Sequence, residues 1–408
     1  MTGHGVHSVR GMWESVKYEA GFFALLLVYF QNQVPAVTAV RSDGWWLGGF
    51  WYVTYELGFI SRGLVGSVVA LFRGQITPQE MNLVISGCWL VLAFCTALFC
   101  GWLVKRSSER DRLAVLYWVT TLLVMPCSIT QYCHAEMFGK LDLFHAPILM
   151  AAAGLTIWGR ALWLTPLLAA VGILIHPSFF FLYFPSFLFL VGYRTKWRQR
   201  ALLAILTLTA VGLFAGLLFW GKPSGGADAL AAYVTARSGI ENALNKEGFF
   251  YAYFASLSDQ WALFVNHGAR PIANACLVFL TVLAPVWLLP AYLWLLTVRC
   301  ARGKERKLMF LLCLGPLVCA APIFLALDWT RWFSSLVVCQ FVVLLTQHAG
   351  GDPWVREAVT VFGDKVRQRP FFFGFIVLWL AILPRAEVSG LLLNPGFTSL
   401  WKYLELPF

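Results

Sequence analysis

Residues 55–66 read YELGFISRGLVG, and the apolar run continues through SVVALF to Phe72. Glu56 and Arg62 lie inside it. A charged side chain at the centre of a lipid-facing helix costs about 2.5–3.5 kcal/mol on insertion scales, so a run carrying two is either a functional element or no span at all. The two cannot relieve each other on one straight helix. Side chains face each other at i+3 or i+4, and these are six apart.

The rest of the chain sets the context. Of 408 residues, 59% are hydrophobic, 16% aromatic and only 12% charged, with a mean hydropathy of +0.70. Soluble domains carry roughly 25% charged residues, so this composition predicts an all-α, polytopic membrane helix bundle. The net charge of +11 does not point to nucleic acid. The basic residues come as short clusters between apolar spans, the pattern that orients membrane proteins. The N-terminal twenty residues lack the compact basic, apolar and small-residue order of a cleaved signal, which predicts a retained first span.

A span needs roughly 17–25 apolar residues, and by that measure about eleven are expected. They fall near 18–39, 82–104, 113–132, 143–159, 161–176, 178–193, 201–220, 271–298, 308–327, 333–348 and 371–387. Pro177, in ILIHPSFF, separates the fifth from the sixth. KRSSERDR (105–112), RTKWRQR (194–200), RCARGKERK (299–307) and REAVTVFGDKVRQR (356–369) are the basic clusters. Placing all four on the cytoplasmic side with the N-terminus requires that residues 59–72 do not cross. Residues 40–81 then form one extracytoplasmic excursion with interfacial or re-entrant helices, and 221–270 form a long extracytoplasmic loop. The expected setting is a single integral domain in a bacterial inner membrane.

That topology gathers the unusual polar groups on the outer side. Asp43, Glu56 and Arg62 lie in the first excursion; Glu136, Lys140 and Asp142 follow the third span in HAEMFGKLD. His176 stands at the break in ILIHPSFF, and Asp328 and Arg331 join two spans in ALDWTRWF. Each has a bland reading. Glu56 and Arg62 could snorkel to headgroup water, Asp43 could make an Asp-Gly turn, and Glu136 with Lys140 could be a surface helix pair. His176 could be a satisfied core histidine, and Asp328 with Arg331 a local i+3 bridge between tryptophan anchors. Collected on one face, they describe a site for a substrate with a lipid tail, a phosphate and a sugar. Arginines bind phosphate, aromatic faces take sugar and lipid, and one carboxylate serves as base on an acceptor hydroxyl.

The ten cysteines lie mostly within apolar spans, where they act as small hydrophobes. Cys127 and Cys133 could meet near a membrane surface, but their apolar setting argues against a disulfide. No spacing demands a metal, although outer carboxylates are groups that could hold Mg²⁺ or Mn²⁺.

The order of a first span, an outer loop with an acidic residue and interfacial helices, then a second span resembles the GT-C superfamily of lipid-sugar-dependent membrane glycosyltransferases. The related O-antigen polymerases have similar size and a long periplasmic loop. The resemblance implies a polyprenyl-linked sugar donor, a glycan or lipid acceptor, and a catalytic acid in the first outer loop, here Asp43 or Glu56, with His176 a further candidate. The clustering of polar groups on the outer side, separately, makes Arg62, Glu136, Lys140, Asp142, Asp328 and Arg331 the candidates for substrate binding. The chain lacks the paired-acid signature of the mannosyltransferase branch, and 221–270 lacks the dense arginines of polymerases. A transporter or flippase of lipid-linked sugars is the alternative, and a noncatalytic envelope scaffold a third reading.

Overall fold

A computed structural model describes residues 5–30, 47–125, 138–240, 253–254, 256–267, 269–281, 283–318, 329–382, 386–388 and 391–393. The described chain is helical apart from two three-residue antiparallel strands, β1 Ala386–Val388 and β2 Leu391–Leu393. Among the described residues, four helical segments are long and apolar enough to cross a membrane: Pro78–Arg106, Leu141–Trp158, Arg200–Trp220 and Arg331–Ala349.

Helix α1 (Gly5–Phe30) packs along α3 (Pro78–Arg106). Between them two 3-10 turns, Leu47–Tyr52 and Tyr55–Leu57, lead into α2 (Gly63–Phe72). Ten residues at about 1.5 Å each give α2 a length of about 15 Å, half a bilayer core, so the apolar run ending at Phe72 does not cross as one helix. Thr77 ends the excursion by capping α3: its hydroxyl accepts from Glu80 N–H, and the Glu80 carboxylate accepts from Thr77 N–H.

The centre of the bundle is built from α4 (Glu109–Val124), α5 (His145–Trp158), α6 (Thr165–Ile175), α7 (Phe179–Leu182), α8 (Phe184–Arg194) and α9 (Arg200–Trp220). Helix α6 stops at His176, before the expected proline, and packs on α2, α5 and α9. After α10 (Gly226–Ser238) come α11 (Leu257–His267) and α12 (Ala269–Thr281), so the 221–270 segment is partly helical. The single span expected over 271–298 is divided. Helix α13 (Ala284–Cys300) begins afresh with Pro285 in its first turn, because proline cannot continue the ladder of α12.

Helix α14 (Gly303–Leu314) leads towards α15 (Trp329–Ala349), the most enclosed of the four long segments, with 94% of its apolar window buried. The region 356–369, read from sequence as a basic topology signal, is also an amphipathic helix, α16 (Pro353–Gln368). It lays Val355, Ala358, Val359, Phe362 and Val366 against α4 and α13. Helix α17 (Pro370–Ile382) is thirteen residues long, shorter than the span expected over 371–387, and β1 follows instead.

Hydrogen bonds define two ends of the bundle. At one, Arg106 Nε donates to Ala349 O, Arg110 pairs with Asp364, and Tyr193 donates to Asp352. Asp111 there accepts from Thr360 Oγ1 at 2.6 Å and lies 3.4 Å from His348 Nε2. The other end carries the first excursion and the polar cluster described next. From Arg331 to His348 is seventeen residues of continuous helix, about 26 Å, so α15 links the two ends across nearly one hydrocarbon thickness. The flanks between are apolar: Leu71, Phe72, Leu208 and Phe371 are more than two-thirds exposed.

Candidate functional site

Asp142 lies in the 3-10 turn Leu141–Phe144 that opens into α5, only 2% exposed. Arg331, in the first turn of α15, reaches it with Nη1 at 3.2 Å from Oδ1 and 3.3 Å from Oδ2. A buried carboxylate needs such a partner, since an isolated charge there would cost several kcal/mol. Lys140, two residues before Asp142, adds a second cation within electrostatic reach.

The broken joint between α6 and α7 supplies the next layer. His176 is extended (φ −157°), which turns its backbone out of the helix and frees the side chain to fold over the following residues. Ser178 N–H donates to His176 Nδ1 at 3.1 Å, Ser178 Oγ lies 2.8 Å from the same nitrogen, and Ser178 Oγ donates to Asp142 Oδ1 at 3.4 Å. Because Nδ1 accepts from a backbone amide, the neutral tautomer assigned from this pattern carries its proton on Nε2.

His145 completes the group and was not singled out in the sequence. It is fully buried, with Nδ1 3.8 Å from Asp142 Oδ1, and its ring meets His176, Phe179 and Tyr183 edge-on at 5.8, 5.2 and 5.4 Å. Neither of its nitrogens has a hydrogen-bond partner among the described residues. A lone histidine in LFHAPILM reads as a core residue. The available signal was its i+3 spacing from Asp142, which places both on one side of the turn.

Arg62 enters from the first excursion. It has a left-handed backbone (φ 63°), unusual for a residue with a Cβ, and stands at the start of α2. Its guanidinium lies over the rings of Phe50 (4.8 Å) and Tyr253 (5.5 Å), within electrostatic reach of His176. Burial pushes the Tyr253 hydroxyl above its ordinary range although the Arg62 charge pulls the other way, so Tyr253 stays protonated at neutral pH. Glycines fix this corner. A Cβ on Gly66 would sit 2.0 Å from Val53 O, so only glycine lets α2 lie on the turn before it.

Glu56 answers to other neighbours. It is exposed, and its Oε2 accepts from Tyr233 on α10 at 2.9 Å. Tyr233 in turn accepts from Arg237 Nη1 at 3.1 Å. The buried Arg237 also donates to the carbonyls of Gly74 and Tyr52 and so ties α10 to the excursion. Trp51 Nε1 donates to Gly139 O at 2.7 Å, which joins the excursion to the turn carrying Asp142.

Of the residues expected from sequence, the structure therefore brings together Arg62, Lys140, Asp142, His176 and Arg331, and sets Glu56 on a neighbouring network. Arg331 reaches Asp142, a carboxylate 189 positions distant that the sequence did not pair with it. Asp43, Glu136 and Asp328, like Cys127 and Cys133, lie outside the described residues. Among the described residues no group of three His, Cys, Asp or Glu side chains has the arrangement to hold a metal ion. Two arginines and a lysine instead make the surroundings suited to an anion. In comparisons with protein-family models, curated proteins and solved structures, the chain matches none.

Proposed function

We propose that the protein is a membrane glycosyltransferase that takes a polyprenyl-phosphate-linked sugar on the extracytoplasmic face and passes the sugar to a glycan or lipid acceptor of the cell envelope. The observation that carries this reading is the convergence of Arg62 and Arg331, from elements 269 positions apart, beside His176 and Asp142 at one end of a bilayer-length bundle. The basic clusters at the opposite end support a cytoplasmic placement for it. The apolar flanks suit the lipid tail of the donor.

In this mechanism Arg62 and Arg331 hold the phosphate, and Asp142 keeps Arg331 in place. His176 Nε2–H donates to a phosphate oxygen. The acceptor hydroxyl oxygen attacks the anomeric carbon, the bond from that carbon to the phosphate oxygen breaks, and the phosphate leaves with the electron pair, stabilised by the two guanidinium groups. The acceptor's proton goes to a carboxylate. Glu56 is the described candidate, because among the described residues Tyr233 bonds one of its oxygens and the group is open to solvent; Asp43 is the other acid of the same excursion. A single displacement with one base inverts the anomeric centre.

The test is transfer of a labelled sugar from a synthetic polyprenyl-phosphate carrier by purified, reconstituted protein. Transfer lost on Arg331→Ala and Arg62→Ala supports the reading. Movement of the intact lipid-linked sugar between leaflets, with no transfer, would establish the flippase alternative instead.

A further inference from the structure

A groove of about 520 Å³ opens on the flank of the bundle at the basic end, remote from the cluster just described. Its walls are Leu188 of α8, Trp197 of the connecting turn, and Arg200, Leu203, Ala204, Thr207 and Leu208 of α9. The α9 positions recur at i, i+3, i+4, i+7 and i+8, so they form one stripe with arginine at its head and apolar side chains below. Helix α9 is the least enclosed of the four long segments, with 22% of its window buried, so the stripe faces outward.

The turn that closes the groove is strained. Lys196 and Trp197 both have left-handed backbones, with φ of 51° and 57°. Neither is glycine, and each such residue costs on the order of 1–3 kcal/mol. The conformation is pinned by Trp197 N–H donating to Gly192 O at 2.8 Å and by the indole lying on Gly192 and edge-on to Phe189 at 5.9 Å. A Cβ on Gly192 would come within 2.5 Å of that indole. The result sets a tryptophan beside Arg200 at the mouth of an apolar trough. Arg194, Lys196, Arg198 and Arg200 are all exposed around it, and the sequence RTKWRQR contains no acid to neutralise them.

We infer that this groove binds an anionic phospholipid of the leaflet at the basic end. Arg200 takes the phosphate, Trp197 lies at the glycerol level, and one acyl chain runs down Leu203, Ala204 and Leu208. Charge decides the occupant: Asp352 and Glu305 lie near Tyr193, but four exposed cations with no ion pair to a described acid favour a headgroup with net negative charge over a zwitterionic one or an apolar protein helix. The inference needs the bundle to be membrane-embedded and is independent of the glycosyl-transfer reading.

Native mass spectrometry of the detergent-solubilised full chain, supplied with equal phosphatidylglycerol and phosphatidylcholine, tests it. One phosphatidylglycerol adduct should survive activation at several-fold higher occupancy than the phosphatidylcholine adduct. Arg200→Ala should remove most of that preference. Ala204→Phe, at an exposed position that can take the ring, should displace the lipid by filling the trough while leaving thermal stability unchanged. Equal retention of both lipids would overturn the assignment. So would an unchanged adduct in the two variants, or a lipid-free dimer formed through this face.

Discussion

Arg331 and Asp142, 189 positions apart, meet through one guanidinium nitrogen lying 3.2 and 3.3 Å from the two carboxylate oxygens. The pair joins the start of α15 to the turn before α5. Removing one partner of a buried pair leaves the other charge uncompensated, typically at a cost of about 3–5 kcal/mol. Arg331 is partly open, so the lower part of that range applies to losing the carboxylate. Asp142→Asn should therefore lower the unfolding midpoint in detergent more than a surface substitution such as Lys304→Ala. Adding Arg331→Gln to Asp142→Asn should recover part of the loss. Strictly additive destabilisation would show that the two side chains do not interact.

Gly66 is expected to be intolerant of any side chain. Its Cβ would overlap Val53 O, so Gly66→Ala must push α2 away from the turn before it, at a cost of roughly 1–3 kcal/mol. Gly87, inside α3 with nothing within 4 Å of its would-be Cβ, is the control. Gly87→Ala should be neutral or stabilise by up to about 1 kcal/mol. Thermal unfolding of the two variants side by side checks the difference, and equal effects would contradict the close packing of α2.

The opposite end of the bundle should be acid-sensitive through Asp111. Burial alone would raise its carboxyl, but hydrogen bonds with Thr360, Ser108 and His348 outweigh burial and hold it below the ordinary carboxylate range. A depressed folded-state pKa means that the group adds stability above its unfolded value, near pH 4, and that this is lost as pH falls through the folded value. The unfolding midpoint should therefore fall between pH 5 and pH 3 more steeply in the wild type than in Asp111→Asn. Parallel curves would remove Asp111 from the account.

Glu56→Gln separates chemistry from folding. The amide oxygen can still accept from Tyr233, so the unfolding midpoint should stay within a degree or two. If Glu56 takes the acceptor's proton, turnover should fall by roughly 10²–10⁴-fold with little change in donor KM. Full activity in Glu56→Gln together with loss in Asp43→Asn would move that role to Asp43.

Several features were readable in the sequence because they follow from local rules. Pro177 marks the break at His176, the charges flanking 59–72 argued against a full span there and the helix is ten residues long, and the glycines around Arg62 announce a close backbone approach. Arg62, Lys140, Asp142, His176 and Arg331 were grouped by the same reading, and four segments bring them together. That Arg331 would reach Asp142 was not readable, since the two are 189 positions apart and only tertiary packing brings them together. His145 was hidden by its apolar neighbours. Helix α16 did carry a helical stripe from Val355 to Val366, but its basic residues read first as a topology signal. The joint at Leu283 lies just before Pro285, but Pro290 in the same apolar run sits inside α13, so proline by itself did not locate it.

The most direct test of the central claim is sugar transfer by purified protein in vesicles, with Arg62→Ala and Arg331→Ala beside the wild type. The wild type should transfer labelled sugar from a polyprenyl-phosphate carrier and each variant should lose at least about 100-fold, the scale for removing a preorganised anion contact. Equal transfer by the wild type and both folded variants would contradict it.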